Sequence, residues 1–118
     1  MKILRTYIRV YAYDMNESLK FYENLLGERA SLRFKYRETG LELAAVGNVL
    51  ILAGSDQDLE PYRQTKATFQ VDAIHEFYDY LLKSGCKVVR GLTQVPTGTN
   101  FTVRHPDDTV FEYVEHHA

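Results

Sequence analysis

Basic and hydroxyl side chains recur at every second position near the start of the chain, where Arg5, Tyr7 and Arg9 alternate with apolar residues. In a β-strand this period of two directs the three side chains to one face of the sheet. A guanidinium group forms two parallel hydrogen bonds to a carboxylate or phosphate. The chemistry available to this face is therefore the binding of small anions.

A second strand pattern places Lys66 beside Thr68 and Gln70 by the same alternation. The other reactive side chains give weaker signals. His75 is expected at the surface, and His105 at a pocket rim or in solvent. His116 and His117 are expected to fray at the C-terminus, and Cys86 to be a buried structural thiol. No glycine-rich phosphate loop, serine nucleophile elbow or zinc-binding His-Glu-x-x-His helix occurs, so hydrolase and nucleotide-binding functions lack support.

Two similar series of elements position these side chains. In the first half, residues 2–12 predict a strand, Asp14 caps a helix that Gly27 ends, and residues 30–37, 41–46 and 49–53 predict strands. A polar connector follows. Then residues 66–71 predict a strand, Asp72 or a neighbour caps a helix that runs to Gly85, and residues 86–92, 99–104 and 109–115 predict three strands. Each half is therefore βαβββ, which indicates duplication and an α+β fold.

Length and composition limit the classes of function. The 118 residues, 45% of them hydrophobic, predict one domain over residues 1–118, with module one at about 1–54, a connector at 55–64 and module two at about 65–118. A net charge of −2 disfavours nucleic acid and anionic membrane as partners. No apolar run has the length of a signal sequence or a membrane span, and one cysteine cannot form an internal disulfide. We expect a cytoplasmic protein.

Three features together resemble the vicinal oxygen chelate superfamily, which includes glyoxalase I, extradiol dioxygenases, methylmalonyl-CoA epimerase and bleomycin resistance proteins. They are the opening strand leading to Ser18-Leu19-Lys20-Phe21-Tyr22 and Leu26-Gly27, the repeated βαβββ order, and the end His105-Pro106-Asp107-Asp108 followed by a strand bearing Glu112. The end departs from the family's Asp-Pro-Asp-Gly turn at His105 and Asp108. The resemblance covers nearly the whole chain and implies two glyoxalase-like half-barrels that enclose a cavity.

The resemblance also implies where a divalent metal would bind. The family's ligand positions fall on Arg5, Ile51, Lys66 and Glu112, and of these only Glu112 has a side chain that binds metals. Catalytic metal sites commonly use about three protein ligands. The sequence therefore predicts no metal site and no cofactor, and it disfavours metal-dependent glyoxalase or dioxygenase activity without deciding whether the protein is an enzyme.

The side chains left in this cavity predict a small-molecule site. The expected ligand-binding residues are Arg5, Tyr7, Arg9, Lys66, Thr68, Gln70 and Glu112. Their positive excess favours an anionic or zwitterionic ligand, and Arg9 falls where glyoxalase I holds a carboxylate of its substrate. Alternatively, Glu112 pairs internally with Arg5 or Lys66 and serves no ligand; losing one partner of such a buried pair costs about 3–5 kcal/mol.

Three functions remain open. The first is a non-catalytic binding protein similar to bleomycin resistance proteins, although a basic cavity does not suit that cationic drug. The second is a lyase, isomerase or dioxygenase of the same superfamily, for which Tyr7 and Glu112 offer an acid and base pair and catalytic residues are otherwise unknown. The third is a dimerisation module with an occluded cavity. Exposed sheet edges predict a homodimer in each case.

Overall fold

Eight β-strands and three α-helices follow one another within residues 1–117, the part of the chain that the computed structural model describes. The elements are β1 (Ile3–Ala12), α1 (Met15–Leu26), β2 (Leu32–Tyr36), β3 (Leu41–Val46), β4 (Val49–Ala53), α2 (Asp56–Leu59), β5 (Thr65–Val71), α3 (Ile74–Lys83), β6 (Lys87–Val95), β7 (Gly98–Arg104) and β8 (Val110–His116). The order is βαβββ twice with the short α2 between, which confirms the predicted α+β class. None of these helices is long and apolar enough to cross a membrane.

The chain forms two compact units. The N-terminal unit is Ile8–Gln64, and the C-terminal unit is Met1–Tyr7 together with Thr65–Ala118. Strand β1 therefore contributes its first half to one unit and its second half to the other. The assignment of residues 1–118 to a single domain stays a prediction.

In the N-terminal unit the strand order is β2-β3-β4-β1, with β1 parallel to β4 and the other pairs antiparallel. Helix α1 starts as the sequence predicts, because the Asp14 carboxylate accepts a hydrogen bond from the backbone N–H of Glu17 at 3.0 Å. It ends at Gly27, whose φ of 66° suits glycine. The core of this unit forms where α1 packs on β3 and β4, with Met15 and Leu19 beside Ile51.

In the C-terminal unit the order is β1-β5-β8-β7-β6, with β5 parallel to β8 and with β7 antiparallel to both β8 and β6. Helix α3 packs on one face of this sheet. Its Phe77 and Leu81 contribute to a buried cluster with Phe101, Val103 and Tyr113. Since successive strand residues point to opposite faces, the side chains between these apolar residues lie on the face away from α3.

The start of α3 follows the second of the two predicted alternatives. Asp72 is not the N-cap, and its carboxylate accepts a hydrogen bond from the backbone N–H of Lys2 at 2.7 Å. Its neighbour Ala73 occupies the N-cap without a side-chain bond, and the backbone N–H of Ile74 donates to Glu115 Oε1 at 2.9 Å. The helix is thus capped from β8, 41 residues away in sequence.

The connector is not merely polar. It forms α2, where the Ser55 hydroxyl accepts a hydrogen bond from the backbone N–H of Asp58 at 3.1 Å, and then a single 3-10 turn at Glu60–Tyr62. Leu59 within it is completely buried. One apolar side chain therefore anchors a segment whose composition alone resembles a loop.

Candidate functional site

Polar side chains share the face of the C-terminal sheet that points away from α3. Alternation places there Thr68 and Gln70 from β5, Asn100 and Thr102 from β7, and Glu112 and His116 from β8. We call these six residues, together with Tyr7 of β1, the polar face. The apolar residues between them, such as Phe101 and Tyr113, turn towards α3.

Glu112 is held from both neighbouring strands. The Thr68 hydroxyl donates a hydrogen bond to Glu112 Oε1 at 2.7 Å, and the Asn100 side-chain amide donates to Glu112 Oε2 at 2.6 Å. Thr68 is opposite Glu112 in the β5–β8 ladder and Thr102 is opposite it in the β7–β8 ladder. The carboxylate therefore has a fixed orientation on a half-buried part of the sheet.

Tyr7 and Arg5 extend the polar face onto β1. The Tyr7 hydroxyl, on a side chain only 6% exposed, donates to Gln70 Oε1 at 3.5 Å, a long hydrogen bond. The guanidinium carbon of Arg5 lies 5.7 Å from the centroid of the Tyr7 ring, within the range of a cation–π contact. Arg5 is exposed, so its charge can reach a molecule on this face.

Two other predicted residues lie in different settings. Lys66 is exposed, and a register shift between Thr65 and Ala67 interrupts the strand alternation at its position. Arg9 is half-buried in the N-terminal unit, with its guanidinium carbon 5.6 Å from the centroid of the Tyr11 ring. The period of two therefore fixes the direction of Thr68 and Gln70, and it does not fix that of Lys66.

The sequence did not single out Asn100 as a site residue. The signal for it was the alternation of Asn100 and Thr102 with Phe101 and Val103, the same pattern that identified β5. His116 was expected to fray, but it ends β8 as a half-buried residue on the polar face. Burial lowers the pKa of His116, while the Glu112 carboxylate opposes that shift.

The other reactive residues lie in several environments. His75 is exposed, as predicted. His105 stacks on Phe111 with 4.5 Å between ring centroids, and its Nε2 lies 2.8 Å from the hydroxyl oxygen of Tyr113. Cys86 is buried and reduced, and this burial raises the pKa of its thiol. None of these side chains belongs to the polar face.

Within residues 1–117, no group of three or more His, Cys, Asp or Glu side chains is arranged to hold a metal ion. The chemistry that the polar face itself offers is hydrogen bonding to uncharged groups through Thr68, Gln70 and Asn100. Glu112 adds one negative charge and Arg5 adds one positive charge.

A fold of two βαβββ modules with polar side chains on one face of the sheet defines a class of proteins. Comparison with known proteins identifies that class. The family model described as Glyoxalase/Bleomycin resistance protein/Dioxygenase superfamily matches residues 5–113. The chain belongs to this superfamily. No curated protein matches the chain.

Solved structures agree with this assignment. An uncharacterised protein from Methanosarcina mazei is 47% identical, with a TM-score of 0.93, and the match covers 99% of this chain and 95% of that one. Methylmalonyl-CoA epimerase from Streptomyces coelicolor in complex with 2-nitronate-propionyl-CoA is 15% identical, with a TM-score of 0.76 and coverage of 99% and 97%. The epimerase from Mycobacterium tuberculosis is 12% identical, with a TM-score of 0.78 and coverage of 98% and 90%. The two epimerases show likeness of fold alone.

Proposed function

We propose that this protein binds a small anionic or zwitterionic molecule on the polar face of its C-terminal unit, without a metal. The observation that carries the proposal is the pairing, within one unit, of the exposed cations Arg5 and Lys66 with the oriented Glu112 carboxylate, which Thr68 and Asn100 hold at 2.7 and 2.6 Å. A carboxylate oriented by two uncharged donors can receive an ammonium or hydroxyl group of a ligand.

The charges near this face support an anionic group on the ligand. Arg5 and Lys66 are both exposed, so each can exchange solvent for a carboxylate or phosphate oxygen. Arg9 lies in the N-terminal unit, and its part in ligand binding stays a prediction from the sequence. A zwitterion would satisfy both signs, with its cationic end on Glu112 and its anionic end on Arg5.

The donor set supports binding without a metal. Of the four positions that the resemblance assigns to metal ligands, Arg5 and Lys66 carry cationic groups without a lone pair to donate, and the side chain of Ile51 packs in the core beneath α1. These residues do not fit a divalent metal, which commonly needs about three protein ligands.

The assembly and setting are also part of the proposal. We expect a homodimer, because Leu4 and Ile8 of β1 are 54% and 59% exposed although β1 has hydrogen-bonded neighbours on both sides. We expect the protein to act in the cytoplasm, where the Cys86 thiol stays reduced.

The proposal is tested by titrating isotope-labelled protein with malonate, inorganic phosphate, L-alanine and the uncharged propionamide. We expect saturable shifts of the β5 and β8 amide signals with at least one charged probe and none with propionamide. Arg5→Gln should weaken that binding by about tenfold or more, since it removes a charge-assisted contact. Lys87→Gln, which removes an exposed cation from β6 of the same unit, should leave it unchanged.

Two results would overturn the proposal. One is equal binding of charged and uncharged probes, or no saturable binding of any probe. The other is stoichiometric zinc, nickel or manganese retained after gel filtration by the wild type and lost in Glu112→Gln, measured by elemental mass spectrometry. The second result would restore a metal-dependent enzyme as the function.

A further inference from the structure

A cleft of about 410 Å³ opens in the N-terminal unit, on the side of its sheet that carries α1. It lies beside the start of α1, the end of β2, the start of β3 and the end of β4. The residues that line it are Tyr13, Met15, Lys35, Arg37, Gly40, Leu41, Glu42, Ala53 and Gly54. None of them belongs to the polar face, so this cleft is separate from the site proposed above.

The floor of the cleft is apolar. Met15, Leu41 and Ala53 line it and are only 5%, 4% and 5% exposed. Two glycines at its edge are closely packed: a Cβ atom on Gly40 would come within 2.5 Å of Asp58 Oδ2, and one on Gly54 within 2.7 Å of Leu41 Cδ2. A side chain at either position would therefore displace its neighbours beside the cleft.

Two cations stand at the rim. Lys35 and Arg37 are exposed, and neither side chain makes an ion pair or hydrogen bond with any residue from 1 to 117. The one acid lining the cleft, Glu42, lies opposite Lys35 in the β2–β3 ladder, but its carboxylate is bound by Arg33 Nε at 2.7 Å. The positive charge of Lys35 and Arg37 is therefore left for a ligand.

An immobilised aromatic ring forms one wall. The Tyr13 hydroxyl donates to Asp56 Oδ1 at 2.7 Å, and Arg63 donates to the same oxygen at 2.9 Å. These bonds hold the ring while leaving the residue 71% exposed. A fixed ring with a free face offers a stacking surface at low cost in conformational entropy.

We propose that this cleft is a second binding site, for a small organic anion that carries a carboxylate or phosphate on a flat apolar body such as an aryl group. The anionic group binds Lys35 and Arg37, and the aryl body lies between the Tyr13 ring and the floor at Met15. A volume of about 410 Å³ falls within the range of small-molecule sites.

The test is an amide chemical-shift titration with phenylacetate, phenyl phosphate and the uncharged benzyl alcohol, read at Tyr13, Gly40 and Gly54. We expect saturable shifts with either or both anions, at dissociation constants of about millimolar for so open a site. Benzyl alcohol should bind at least about tenfold more weakly, because it lacks the charge-assisted contacts. The double variant Lys35→Gln/Arg37→Gln should bind the two anions at least about tenfold more weakly than the wild type does.

The matched control is Lys20→Gln/Arg29→Gln. These two cations line another cleft of the same unit, of about 380 Å³, in company with the acids Glu23 and Glu28. The control variant should bind both anions as the wild type does. The proposal is wrong if neither anion binds saturably, if benzyl alcohol binds equally well, or if the two double variants weaken binding to the same extent. Because Arg5→Gln leaves this cleft intact, the two proposed sites can fail separately.

Discussion

Glu112 accepts hydrogen bonds from the neutral donors Thr68 and Asn100, and the first of these predicts the effect of a single substitution. Thr68 is 2% exposed and its hydroxyl donates to Glu112 Oε1. Thr68→Val keeps the shape and removes the donor, which leaves a half-buried carboxylate oxygen with one partner fewer. We expect a loss of about 1–3 kcal/mol in the free energy of unfolding, measured by urea denaturation.

Thr102→Val is the matched control. Thr102 is also opposite Glu112 and 5% exposed, but its hydroxyl makes no hydrogen bond within residues 1–117. Its replacement by valine should leave the free energy of unfolding unchanged or raise it, because no hydrogen bond is lost. Equal losses in both variants would show that the hydrogen bond to Glu112 does not stabilise the fold.

His105 predicts how stability depends on pH. Burial lowers the pKa of His105 below its ordinary 6.5, more strongly than the Asp107 carboxylate raises it. The unfolded chain therefore binds a proton first as pH falls, so the stabilising contribution is complete above pH 6.5 and is lost below it. In His105→Asn, the urea midpoint should fall less between pH 6.5 and about 5 than it does in the wild type. A smaller decline should remain because burial also lowers the pKa of His116. An unchanged decline would contradict the buried, neutral state of His105.

Tyr113 acts at the opposite end of the pH range. Burial, aided by the nearby Cys86, raises the pKa of the Tyr113 hydroxyl from 10.0 to about 12. The unfolded chain loses its phenolic proton first as pH rises, so this contribution is complete below pH 10 and is lost as pH approaches 12. Absorbance of tyrosinate during an alkaline titration should show a tyrosine that ionises near pH 12 in the wild type and is absent in Tyr113→Phe. Identical titration curves for the two proteins would show that Tyr113 ionises normally.

Part of the candidate site could be predicted from the sequence, because period-two alternation identifies a face without any knowledge of contacts. It predicts that Thr68 and Gln70 share one face of their strand, and these residues lie in β5 and Glu112 in β8. It could not identify Asn100 as a partner of Glu112, since that hydrogen bond depends on the register between β7 and β8. Strand register is a long-range property that no local pattern fixes.

At the scale of elements, the start of α3 is capped by a side chain of β8, and this contact can be tested directly. Glu115 of β8 accepts the hydrogen bond from Ile74 N–H that a side chain at the N-cap normally accepts. Glu115→Ala should cost about 1 kcal/mol in the free energy of unfolding, as should Asp14→Ala at the local cap of α1. Glu115→Gln, which keeps an acceptor oxygen, should cost less.

Asp79→Ala provides the control for these cap variants. Asp79 is exposed within α3 and makes no hydrogen bond or ion pair within the described residues, so its loss should be close to neutral. If Glu115→Ala were as mild as Asp79→Ala, water would satisfy the end of α3 equally well and the contact from β8 would not stabilise the helix.

The elements themselves were predictable where local signals agree. Strands β3 and β4 have the predicted bounds, because a turn signal ends each apolar run. Helix α2 was missed, since four residues are too few for a helical period to be visible. The interruption at Lys66 was missed because a β-bulge has no signature in composition when neither residue beside it is glycine.

At the scale of the whole molecule, strand β1 buries a polar side chain and exposes an apolar one. Its polar residue Tyr7 is 6% exposed while the apolar Ile8 is 59% exposed, the reverse of the usual distribution. In a single chain this exposure of Ile8 has an unfavourable hydration cost. A second copy of the chain that covers Ile8 would remove this hydration cost. This is the physical basis for expecting a homodimer.

If a homodimer forms as expected, a specific pair of variants tests its interface. Light scattering on the wild type should give twice the mass of one chain, falling to one chain on dilution. Ile8→Lys should raise the dimer dissociation constant by about tenfold or more, because a buried charge without a partner weakens association. Val88→Lys, at a residue of β6 that is 43% exposed, is the control and should leave the dimer intact. A wild-type mass of one chain at every concentration would contradict the dimer, and loss of the dimer in Val88→Lys alone would move the interface from β1 to β6.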